Sequence, residues 1–70
     1  MIEKMVAIRI DADETQRELA NKIGWHQVQI ARYEKGHVTP PISYLEKFCE
    51  HYQVSADYLL GLPKGLKWPR

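Results

Sequence analysis

Two glycines, Gly24 and Gly36, punctuate a segment that has few ways to fold. Just upstream, Thr15-Gln16-Arg17-Glu18 has the form of a capping box, in which the Thr hydroxyl accepts from the backbone N–H three residues on and the Glu carboxylate reaches back. A helix is predicted to start there. Leu19, Ala20 and Ile23 follow at helical spacing, and Gly24 stands where a left-handed residue closes a helix. Gly24-Trp25 is then the turn, His26 to Lys35 a second amphipathic segment, and Gly36 a second stop. The prediction is a pair of short, capped helices joined by a Gly-containing turn.

The rest of the chain is too short to be much more than support for that pair. Seventy residues make one domain, at a size where roughly 60% of the unfolded chain's surface is buried and stability is marginal without staples. Cys49 is the single cysteine, which excludes an intrachain disulfide and suits a reducing compartment. No apolar run approaches the ~20 residues that span a bilayer, and the N-terminus lacks a signal-peptide core, so a cytoplasmic protein is expected. Hydrophobic content of 44%, with two Trp, four Tyr and one Phe, argues for a packed core. Local helix contacts are the most direct way to build one at this size. The net charge of +1 says little, but its distribution is uneven. Residues 15–40 carry Arg17, Lys22, Arg32 and Lys35 against Glu18 and Glu34, whereas residues 1–14 are net negative. A modest nucleic-acid footprint requires that sign in the central window.

Along the chain, Val6, Ile8 and Ile10 alternate as in a strand, while Met5, Ile8 and Ala12 fit one helix face. A lone strand has no partner elsewhere, so a helix is expected. Asp11-Ala12-Asp13 reads as a turn, Asp tolerating the left-handed conformation. Thr39 is the expected N-cap of the next helix, with Pro40 at its first position. Ile42, Leu45, Phe48, Cys49 and Tyr52 form its predicted buried stripe. Gln53-Val54 break the chain, Ser55 caps a last short helix through Leu60, and Gly61 stops it. The expected domain is residues 1–61. The tail 62–70 holds Pro63, Gly65 and Pro69 and cannot be a regular helix, yet it carries Leu62, Leu66 and Trp68. Those side chains dock on the domain, join a partner, or stay exposed.

The chemistry lies in the second helix of the pair, which together with the first forms a helix-turn-helix unit. At ~100° per residue, Gln27, Val28, Ala31, Arg32 and Lys35 share one arc, with Ile30 and Tyr33 opposite. Gln pairs bidentately with adenine, Arg with guanine, and a Val methyl packs on the thymine methyl. The bland alternative is a solvated helix face. Gln29 lies at the edge of the arc, in reach of a base or a phosphate, and Gln16 at the first helix's N-terminus suits a phosphate. Tyr33, Phe48 and Tyr52 coincide with buried stripes and read as core. No metal site is expected, because Cys49 and His51 point to different helix faces and no second ligand pair has finger spacing. No cofactor is implied. No nucleophile has a plausible base and orienting partner, so an enzyme is not expected.

As a set, these residues resemble the lambda-repressor/Cro-type (XRE-like) helix-turn-helix transcriptional regulators. The resemblance runs from about Met5 to Leu60. It is carried by Arg9, Thr15-Gln16, Glu18-Leu19-Ala20, Ile23-Gly24, Ile30, Arg32, Glu34, Gly36, Pro40 and Val54-Ser55-Ala56-Asp57-Tyr58-Leu59-Leu60. It implies an all-α, compact five-helix bundle that binds double-stranded DNA, as a repressor and a homodimer. By position it implies base contacts for Gln27, Val28, Gln29 and Arg32 in a recognition helix of about 26–35. Phosphate contacts fall to Gln16, Arg17, Lys35, His37 and Thr39. It further implies a structural ion pair between Arg9 and Glu34. The last helix with Leu62, Leu66 and Trp68 is the candidate dimer or tail surface. The alternative is an antitoxin- or antirepressor-like interaction module whose tail binds protein. The chain departs from the family pattern at Trp25, where a smaller aliphatic is usual, and at His26, where Ser or Thr is usual. Asp13-Glu14 also stand in place of Gly-Leu.

Overall fold

The computed structural model describes residues 1–61, which form five helices and no strand. These are α1 (Ile2–Asp11), α2 (Gln16–Ile23), α3 (Gln27–Glu34), α4 (Ile42–Tyr52) and α5 (Ala56–Leu60). The tail residues Leu62, Leu66 and Trp68 lie outside the described residues.

The alternating apolar residues near the N-terminus are helical. Met5 is buried, and Ile2 and Ile8 pack against the core; Ala12 is the exposed C-cap and leaves the expected Met5, Ile8, Ala12 face incomplete. Asp13 takes the left-handed conformation at φ 59° and turns the chain into α2. Leu19, Ala20, Ile23, Ile30, Tyr33, Tyr44, Phe48 and Leu59 complete a core drawn from all five helices. Its centre is aromatic. Tyr44 meets Trp25, Tyr33 and Phe48 at centroid distances of 5.4, 4.8 and 6.1 Å, and Phe48 meets Tyr52 at 4.7 Å, all tilted as ring quadrupoles prefer.

Helix α4 corrects two expectations. Thr39 does not cap it; Pro41 is the N-cap and the helix starts at Ile42. A proline disfavours the helical region for the residue before it, so Pro41 keeps Pro40 out of the helix. Pro40 is buried instead. The buried stripe also turns, being centred on Tyr44 and Phe48 with Leu45, Cys49 and Tyr52 on its shoulders. Ile42 lies about 120° around the helix from Phe48 and is 74% exposed. The helix ends in Gln53, left-handed at φ 57°, whose side-chain amide donates to the Glu50 carbonyl at 2.7 Å. Ser55 caps α5 by accepting from the Tyr58 N–H, and Gly61 closes it at φ 72°.

Candidate nucleic-acid interface

The pair α2 and α3 is positioned by local chemistry. At its start the capping box is complete: the Glu18 N–H donates to Thr15 Oγ1 at 3.1 Å and the Thr15 N–H to Glu18 Oε1 at 2.9 Å. Gly24 closes α2 in the left-handed region at φ 70°, and the Trp25 N–H donates back to the Ala20 carbonyl at 2.8 Å. Trp25 leans into the core and donates its indole N–H to Tyr33 Oη at 3.3 Å. The large residue at this turn is therefore a wedge between α3 and α4. His26 is the N-cap of α3 with extended backbone and no side-chain cap; only its carbonyl takes part, accepting from Gln29 and Ile30.

Helix α3 turns Ile30 and Tyr33 into the core and leaves Gln27, Val28, Arg32 and Lys35 exposed. Val28 is 64% exposed, an apolar side chain held in water in the middle of a polar face. Gln27, Val28, Ala31, Arg32, Lys35 and His37 line one shallow groove. Gln29 and Thr39 lie outside it, Gln29 half-buried beside the arc and Thr39 exposed in the loop before α4. Arg17 at the start of α2 donates from Nε to Gln27 Oε1 at 3.4 Å, which brings it to the edge of the same face. Gln16 uses one N–H of its amide internally, on Glu34 Oε1 at 2.9 Å.

Charge on this face is set by what the acids do. Arg9 Nε and Nη2 donate to the two Glu34 oxygens at 2.7 and 3.0 Å, and Nη1 donates to the Glu14 carbonyl at 2.7 Å. Both side chains are largely buried, and the bond to Glu34 pushes the Arg9 guanidinium's pKa further up. One fork thus ties α1 to the end of α3 and to the loop before α2. Glu34 is neutralised by Arg9 and Glu18 is held in its capping box, so the acids of this helix pair are internally engaged. Arg17, Arg32 and Lys35 remain as exposed cations around the groove, a positive surface with an apolar and amide centre.

A family model described as Helix-turn-helix, of the XRE and lambda-repressor type, matches residues 7–59. The chain belongs to that family. No curated protein and no solved structure matches this helix-turn-helix chain. The family is one of DNA-binding transcription regulators, and the five-helix arrangement fits its lambda-repressor-like fold. Among the described residues no helix is long and apolar enough to cross a membrane, and no His, Cys, Asp and Glu side chains cluster as a metal site.

One feature of this helix-turn-helix domain escaped sequence reasoning. Glu14 is buried, and its carboxylate accepts from Lys22 Nζ at 2.5 Å and Tyr52 Oη at 2.7 Å, with His51 Nε2 at 2.9 Å. Lys22 foremost, then Tyr52 and His51, hold the Glu14 carboxyl at about 2. Burial, and after it the bond to Glu14, push the Tyr52 hydroxyl well up. This hub fastens the loop before α2 to the end of α4. Two of its partners lie 37 and 38 residues away, so no local pattern signals it.

Proposed function

We propose that this protein is a sequence-specific double-stranded DNA-binding regulator, acting as a repressor by occupying its operator as a homodimer. The observation that carries this reading is the outward face of α3, where Gln27, exposed Val28 and Arg32 sit side by side over a rigid base of Ile30 and Tyr33. A helix ~10–12 Å across fits the ~12 Å major groove. In this reading Gln27 pairs with adenine, Arg32 with guanine, and Val28 packs on a thymine methyl, with Gln29 at a neighbouring base or phosphate. Arg17, Lys35, His37 and the free groups of Gln16 and Thr39 take phosphates, fixing register without reading sequence. One such face covers only a few base pairs, and pairing two copies over half-sites about one helical turn apart supplies the missing discrimination.

The test is a salt titration of binding to duplex DNA. If Arg17 and Lys35 of two copies each neutralise a phosphate, the log–log slope is about −3.6. A slope near zero overturns the reading and favours a protein-interaction module.

A further inference from the structure

Gln27 opens α3, and among the described residues its amide is held by one side chain from outside that helix. Arg17, in the first turn of α2, donates from Nε to Gln27 Oε1 at 3.4 Å. A guanidinium carries donors only, so the amide atom facing it is the oxygen and the NH2 group is turned the other way. Gln16, the neighbour of Arg17, is engaged elsewhere, its amide donating to Glu34 Oε1 at 2.9 Å. Arg17 and Gln27 are both exposed, and His26 supplies no side-chain cap at the start of α3, so neither core packing nor a cap competes for the Gln27 amide.

We propose that Arg17 is a positioning residue for sequence discrimination: it fixes which end of the Gln27 amide accepts and which donates, and so lets Gln27 tell an A·T pair from a T·A pair. This rests on α3 lying in the major groove, as proposed above. There adenine offers N7 as acceptor and the N6 amine as donor in a fixed order, and reversing the base pair reverses that order. A glutamine free to turn its amide over matches either order, whereas one held at Oε1 matches only one. The amide oxygen has two lone pairs, so it serves Arg17 and the adenine N6 amine together while Nε2 donates to N7. The Nη1 and Nη2 groups of Arg17 are left to donate to a phosphate. One side chain thereby couples a contact that sets register to a contact that reads sequence. Holding an exposed amide in advance also removes part of the ordering cost of binding.

The test uses duplexes carrying the half-sites that the wild type selects, in which the pairs read by Gln27 and Arg32 are those where Gln27→Ala and Arg32→Ala lose discrimination. Kd is measured with each of these two pairs in its preferred and its reversed order, for the wild type, Arg17→Lys and Arg17→Ala, each confirmed folded by circular dichroism. Lysine keeps the charge but lacks the planar fork that reaches an amide and a phosphate at once. The preference for A·T over T·A at the Gln27 pair should fall about tenfold in both variants, equivalent to ~1.4 kcal/mol, while the preference at the Arg32 pair is kept. The Lys variant should retain the wild-type salt slope, and the Ala variant should lose about 0.9 from it for each phosphate contact removed. A Lys variant that prefers A·T as strongly as the wild type overturns the proposal. An equal loss at both pairs also overturns it, since α3 as a whole has then shifted, and so does an Ala variant that weakens every duplex by the same factor, the mark of a phosphate contact alone. A wild type with no preference at either pair overturns the base-reading assignment itself, and the positioning role with it.

Discussion

Replacing Arg9 by Ala removes a guanidinium that makes three hydrogen bonds, two to Glu34 and one to the Glu14 carbonyl. Removing one partner of a fully buried pair costs about 3–5 kcal/mol, because the other charge is left uncompensated. Two observations favour the low end. The side chains of Arg9 and Glu34 keep 12% and 14% of their exposure, and Gln16 goes on donating to Glu34 Oε1. The expected loss is therefore ~3 kcal/mol. A chain of this length has roughly 3.5–10 kcal/mol of total stability, so the variant forfeits about a third or more of it. Its melting temperature should fall by ~12–24 °C. Urea and thermal unfolding followed by far-ultraviolet circular dichroism measure this. The Arg9→Met/Glu34→Leu double variant removes both charges and should recover at least half the loss, since no charge is then left unpaired. DNA affinity of the single variant, measured in the cold where it is folded, should remain close to wild type. An Arg9→Ala protein that melts with the wild type refutes the reasoning, as does a folded variant that no longer binds.

Other outcomes follow from the same structure. The Glu14 carboxyl stands at about 2 against an ordinary 4.5, so its contribution to stability is present above pH ~4.5 and is lost as the pH falls towards 2. The urea midpoint of the wild type should therefore drop through that window more steeply than that of Glu14→Gln, the two curves converging at the acid end; parallel curves would sink the coupling. Gly24→Ala meets no neighbouring atom within 4 Å but must hold φ 70°, and should cost ~1–2 kcal/mol through backbone strain alone. Denaturant unfolding with an unchanged midpoint would show that the turn relaxes.

What sequence reasoning could reach depended on the distance over which each interaction acts. The Thr15 to Glu18 box, the left-handed Asp13, Gly24, Gly36 and Gly61, and the Ser55 cap are settled within a few residues, and they set most helix boundaries. The α3 face was legible for the same reason, since its arc follows from helical spacing once the helix is placed. The start of α4 is ambiguous in the sequence because consecutive prolines offer two possible registers, and Pro41 decides between them by restricting Pro40. The central place of Tyr44 is not legible in the sequence, because the aromatic cluster around it joins α3, α4 and the turn at Trp25. Arg9 and Glu34 are 25 residues apart, so only the family resemblance pairs them in the sequence. Glu14 had no comparable guide, and its burial depends on Lys22, His51 and Tyr52 meeting it in space.

The central claim is that α3 reads base edges through Gln27 and Arg32. Selection from a random duplex library by the wild type, Gln27→Ala and Arg32→Ala tests it most directly. The wild type should enrich a two-fold-related pair of half-sites, and each variant should lose discrimination at one or two positions of the half-site, by ~1–3 kcal/mol, while keeping the rest. Failure of the wild type to enrich any motif, or an identical motif from all three proteins, would contradict it.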